Sequence, residues 1–154
     1  MTFNNYTQKS LEAVQSAQNI AVQHSNQQLE QIHLLLALLQ QDGGLTSQLL
    51  RKMGVNAESL EAAAKAEVRN LPTVTGSREA DRFYISAAVD ATFCTAEQQA
   101  QRMKDDFISV EHLLLALIEA AQGSVKNLFE TYRITKEGVL QALQGIRGSQ
   151  RVTT

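Results

Sequence analysis

Two of the three histidines, the one cysteine and a cluster of acids are the side chains to weigh for chemistry. His33 and His112 lie 79 positions apart, Cys94 between them, with Asp105, Asp106 and Glu111 close to the second histidine. A zinc centre could be imagined from the histidines with Cys94 or Glu111, but no Cys-x-x-Cys or His-x-x-x-His spacing supports it. A histidine at the start of an apolar helix more commonly anchors the preceding turn by hydrogen bonds. Cys94 would need a positioned base and an electropositive setting to act as a nucleophile, and neither is evident, so an inert thiol is favoured. Asp105-Asp106 reads as a solvated acidic turn, the alternative being that Asp105 and Glu111 flank a groove and orient a peptide. There is no Gly-x-x-x-x-Gly-Lys-Ser/Thr loop, no Gly-x-Gly-x-x-Gly and no Gly-x-Ser-x-Gly. A catalytic reading therefore finds no footing. The expected cofactor and metal content is none, and the chain should neither bind nor hydrolyse ATP.

The elements around these residues follow from a repeat. His33-Leu34-Leu35-Leu36-Ala37-Leu38-Leu39 recurs as His112-Leu113-Leu114-Leu115-Ala116-Leu117-Ile118. The same offset pairs Val14 with Phe93, Ala17 with Ala96, Leu29 with Ile108, Leu49 with Leu128, Val55 with Ile134 and Ala63 with Ala142. Apolar positions coincide without an insertion, the mark of a duplication. Each copy reads as four helices. In copy one, Thr7 caps a helix whose inner face carries Leu11, Val14, Ala17 and Ala21. A second helix starts near Glu30, Gly43-Gly44 stops it, a third runs to about Met53, and Asn56 caps a fourth ending near Asn70. In copy two, Ser86, Ser109, Gly123 and Thr135 stand where Thr7, Glu30, Gly44 and Asn56 stand. Pro72 and Gly76 mark the segment between copies as a linker.

Composition agrees. Hydrophobic residues make up 44% and aromatics only 5%, without Trp, which favours an aliphatic helical core. A net charge of −2 supplies no basic field for a phosphate backbone, so nucleic acid is excluded as an expected partner. The apolar runs at 34–39 and 113–118 reach only about 9 Å as helix, so no membrane partner is expected and the chain reads as soluble and cytoplasmic. The Leu-rich helices are apolar nearly all round and must be central. A unit of one copy has a marginal core, so the two should pack about a pseudo-twofold into one all-α domain of about eight helices.

The duplicated unit, clearest in Ser109-Val110-Glu111-His112-Leu113-Leu114-Leu115-Ala116-Leu117, resembles the Clp N-terminal repeat that heads the large AAA+ unfoldases. The opening Tyr6-Thr7-Gln8-Lys9-Ser10-Leu11-Glu12-Ala13 is similar to its first helix. Leu71-Pro72-Thr73-Val74-Thr75-Gly76 and the Arg-Gly-containing tail from Gly145 to Thr154 resemble the linker and exit segment of the ClpB type. The resemblance implies a domain over residues 1–148, with repeat one at 7–70, a linker at 71–85 and repeat two at 86–147. Residues 148–154 would begin the connection to an ATPase module outside the chain. It also implies a non-catalytic, client-binding role in a disaggregase that works on unfolded or aggregated polypeptides. ATP and Mg, a homohexameric ring and a DnaK-type collaborator would belong to the missing modules. The alternative is the adaptor- or substrate-docking domain of a ClpC- or ClpA-type unfoldase that feeds a protease; a generic helical scaffold or a small enzyme ranks lower. Carried over residue by residue, the implied substrate-binding positions are Thr7, Phe93, Asp105, Glu111 and His112. Ile32 stands where a relative would place the first repeat's Glu, which weakens a phosphoarginine reading and leaves copy two as the better candidate.

Overall fold

The computed structural model describes residues 3–74 and 84–147, with the side chain of Arg147 excepted. Copy one holds α1 (Gln8–Gln23), α2 (Gln31–Gln40), α3 (Leu45–Lys52) and α4 (Ala57–Arg69). Copy two holds α5 (Ala87–Arg102), α6 (Val110–Ala120), α7 (Gly123–Thr131) and α8 (Lys136–Arg147). Helix order is the same in both, and α1 and α5 coincide to the residue at the 79-residue offset.

Local chemistry sets the helix starts. The Thr7 side chain accepts from the Ser10 amide at 3.2 Å, and Ser86 accepts from the Val89 amide at 3.1 Å. Asn56 and Thr135 do the same for Ser59 and Gly138, each at 3.0 Å. On α1 the buried positions Ala13, Val14, Ala17, Ile20 and Ala21 recur every three or four residues, and the alanines let α2 approach closely. On α2 and α6 the leucines are buried on all sides, so these two helices form the centre and touch each other as well as their own neighbours.

Two features differ from the sequence reading. Expected to be wholly helical, the chain contains a short parallel ladder, β1 (Gln28–Leu29) with β2 (Tyr84–Ile85). A parallel bridge from Tyr6 to Ile108 is its pseudo-twofold mate. The residues ahead of α1 and α5 are extended, and so are those ahead of α2 and α6. Leu29 and Ile108 are buried there, so their backbone groups need partners and find them across the seam in the other copy. Thr7 N–H donates to the Ile108 carbonyl at 2.9 Å, and Ser86 N–H to the Leu29 carbonyl at 3.0 Å. The segment expected as linker therefore ends in a strand; its residues 75–83, like the tail 148–154, lie outside the described residues.

The second difference is at the glycine stops. Gly44 is the N-cap of α3, but α7 is capped by Gln122, and Gly123 is its first residue. The left-handed glycine is Gly43 (φ 60°) in copy one and Gly123 (φ 57°) in copy two. Helix α6 runs one residue further than α2 in the repeat register, which shortens the turn that follows it.

Candidate functional site

The helix starts that carry Thr7 and Glu111 come together at one groove. Thr7, Gln8 and Lys9 at the start of α1 form one wall, and Ser109, Val110 and Glu111 at the start of α6 form another. The turn from Gln41 to Leu45, with Gln48, forms the third, enclosing about 540 Å³. Most of the surface is aliphatic, with Lys9, Asp42 and Glu111 supplying charge. Gln41 holds the walls together by donating to the Lys9 carbonyl at 3.0 Å. Glu111 is only 6% exposed. It accepts from the Ser109 hydroxyl in the first turn of α6.

Behind the groove, Asp105 Oδ2 lies 2.7 Å from His112 Nε2, and Ser109 Oγ lies 3.1 Å from His112 Nδ1. The trio has the outline of a Ser-His-Asp relay. Counting lone pairs dissolves it. The backbone N–H of Ser109 already donates to His112 Nδ1 at 2.8 Å, which uses that nitrogen's single lone pair, and the hydroxyl donates to Glu111 instead. His112 is therefore not placed as the base for the serine proton. With Nδ1 accepting that N–H, Nε2 is the ring nitrogen that faces Asp105 Oδ2.

Copy one repeats this arrangement with a carboxamide in place of the Asp105 carboxylate. The Glu30 N–H donates to His33 Nδ1 at 2.9 Å, and His33 Nε2 lies 2.8 Å from Asn26 Oδ1. Asn26 stands where Asp105 stands, so the shared function is to tie the turn to the helix start. Burial lowers the His33 pKa to about 4, with the charge of His24 adding to the effect.

Of the five positions implied by the family pattern, the structure brings Thr7 and Glu111 into the groove. His112 and the Asp105 side chain lie behind it, both at 0% exposure, so they can act on a ligand only through the α6 start they hold. Phe93 is corrected from groove wall to core. It has no exposed surface and meets Phe3 edge-on at 5.4 Å and Tyr6 at 6.4 Å between ring centres. The Tyr6 hydroxyl beside it is buried without a hydrogen-bond partner, and burial raises its pKa, the charges of Glu97 and Cys94 adding. Cys94, next along α5, is exposed. No cluster of three metal-ligating side chains occurs among the described residues, and none of their helices is long and apolar enough to cross a membrane.

A second cleft escaped the sequence reading. It encloses about 260 Å³ and is lined by Glu30, Gln31, Ile32, Ala88 and the start of α7. Shifted by 79 positions, its lining falls on that of the larger groove: Glu30 on Ser109, Gln31 on Val110, Ile32 on Glu111 and Ala88 on Lys9. The signal was present in the sequence, since Gln31 is a polar residue opposite an apolar one in the repeat register.

Comparison with known proteins gives consistent matches. The family model described as the Clp repeat (R) N-terminal domain matches residues 5–132. The chaperone protein ClpB of Bacillus cereus is 41% identical over 155 residues, which cover all of this chain and 18% of the relative. The Hsp104 N-terminal domain of Candida albicans superposes with a TM-score of 0.85 at 22% identity, covering 98% of this chain and 97% of that one. A ClpV N-domain in complex with a VipB peptide superposes at 0.70 with 15% identity, covering 98% and 92%.

Proposed function

The chain belongs to the Clp repeat N-terminal domain family, and from that premise we propose that it is the client-binding domain of a ClpB-type disaggregase. It spans 18% of the length of its ClpB relative, so motor, ring and collaborators belong in this reading to modules outside it. Those modules supply ATP and Mg chemistry, hexamer contacts and the docking of a DnaK-type partner, in the cytoplasm. The domain itself catalyses nothing; the spent lone pair on His112 supports that part of the reading.

One observation carries the binding role: the open, mostly aliphatic groove of about 540 Å³ between the starts of α1 and α6. Apolar walls favour the exposed hydrophobic segments that unfolded chains offer. The acids Asp42 and Glu111 favour clients whose apolar stretch is flanked by Lys or Arg. That a peptide occupies the ClpV N-domain, a relative in fold, also supports the reading. That the sequence relatives are chaperone proteins of the ClpB name supports this reading over adaptor docking for a protease.

A patch this small belongs to the transient class of interface, below about 1,200 Å² in total. A flexible client loses entropy when held. Affinity should therefore be on the order of 10 μM or weaker, where micromolar corresponds to about −8 kcal/mol. Weak binding suits a domain that must release its client to a motor, and several copies in a ring would raise avidity.

An NMR titration with an unfolded model protein tests this. Shifts should cluster at Thr7, Lys9, the turn after α2 and Glu111. They should weaken in folded Thr7→Ala and Glu111→Ala variants. Asp105→Ala should weaken binding as well, accompanied by altered His112 ring signals, since it acts through that cap. Shifts remote from this groove, or variants that bind like the parent, would reject the assignment.

A further inference from the structure

We propose that Gln31 limits the domain to a single client site by satisfying, with its own carboxamide, the backbone groups of the cleft that the pseudo-twofold makes of the client groove. This rests on the groove reading above. Only 4% of Gln31 is exposed, and every hydrogen-bond partner of its side chain lies in the other repeat. Its Nε2 donates to the Ala120 carbonyl at 2.9 Å, to Thr92 Oγ1 at 3.1 Å and, more weakly, to the Ala88 carbonyl at 3.4 Å. Its Oε1 accepts from the Gln122 N–H at 3.0 Å. A primary amide has two N–H donors and one carbonyl oxygen, and both kinds of group are engaged here.

The recipients are the last carbonyl of α6 and the amide that opens α7, the kind of exposed backbone group an extended client would have to satisfy. In this cleft Gln31 satisfies them already. A client that uses these backbone groups must displace the carboxamide and replace both ends of its bonding, and any group it leaves unpaired is a net loss. In the open groove the same repeat position is Val110, which has no polar group to offer, and the volume is about 540 Å³ against 260 Å³. The charge is placed differently too: Ile32 takes the place of Glu111, and the acid of the smaller cleft is Glu30, at the repeat position of Ser109.

The inference predicts stoichiometry. The isotope-labelled chain would be titrated with a short synthetic peptide of alternating leucine and lysine. The parent should take one peptide, with shifts at Thr7, Lys9 and Glu111 and none at Ala88 or Ser124. Gln31→Val copies the residue of the open groove and should add a second equivalent, with new shifts at Ala88 and Ser124. The reciprocal Val110→Gln should close the open groove and reduce binding at least tenfold. Should Gln31→Val fail to fold, Gln31→Met keeps the bulk while removing the hydrogen bonds and should give the same gain. A parent that binds two peptides, or a folded Gln31 variant that still binds one, overturns the proposal. A parent that binds none removes the groove reading instead; in that case a gain confined to Ala88 and Ser124 in Gln31→Val would still support the plug.

Discussion

At the residue scale His33 is a capping histidine whose protonation the fold controls. His33 has 0% exposure, and its Nδ1 accepts a backbone N–H, so a proton on that nitrogen would break the cap. Its pKa falls from 6.5 to about 4 on folding. The unfolded chain therefore takes up a proton as pH drops through 6.5, whereas the folded chain resists until about 4. Stability from this group is full above the unfolded value and is lost as pH falls from 6.5 towards 4. The linkage relation limits the effect to about 3 kcal/mol. Denaturant midpoints measured across that window should fall more steeply for the parent than for His33→Gln. Equal slopes would show that the acid loss originates elsewhere. Thr7 and Glu111 were legible in the sequence through the family pattern, but which pattern residues touch solvent was not. The repeat register held a warning for Phe93: its partner is Val14, and an apolar pair kept in both copies marks core. Gln31, the polar residue that breaks an apolar pair, could have been singled out by the same comparison.

At the element scale the helix starts were readable because capping is local chemistry. Thr7, Ser86, Asn56 and Thr135 each sit three residues before the amide they accept from, a spacing visible in the chain itself. The cross-repeat bridges were not readable. A two-residue strand has no alternation to detect, and its partner lies more than fifty positions away in the ladder that joins Gln28 to Tyr84. Burial of Leu29 and Ile108 without a helical partner for their backbone is what forces the pairing. These bridges hold the repeats together at both ends of the pseudo-twofold, so they should open only when the repeats separate. Amide exchange at Thr7, Ser86 and Ile108 should then be as slow as at the leucines of α2 and α6, all governed by global unfolding. Fast exchange at Thr7 and Ile108 alongside protected central helices would mean that the bridge frays independently and contributes little. Ser10 adds to this seam, since its hydroxyl donates to the Ile108 carbonyl at 2.9 Å from a fully buried position.

At the scale of the whole molecule, the question is whether one repeat can stand alone. Several arguments say that it cannot. The central helices α2 and α6 pack against each other, and α3 also meets α6 and α8. The backbone of Leu29 and Ile108 is satisfied across the seam, and the Gln31 side chain makes its hydrogen bonds to the other copy. Separating the repeats would expose the inner faces of α2 and α6 and strand these polar groups, each at about 1–3 kcal/mol where no water can reach. A unit below about 80 residues has only a few kcal/mol of core stability to set against that loss. A fragment of residues 1–74 should accordingly show weak helicity by circular dichroism and melt without a cooperative step. The full chain should melt in one transition, with helical and tertiary signals coinciding. Mixing 1–74 with 75–154 in equal amounts should restore much of the helical signal, in a concentration-dependent way, because the seam then forms between chains. A fragment 1–74 that folds cooperatively alone would show that the repeats are separable, and the client groove, whose walls come from both, would then be open to loss without unfolding.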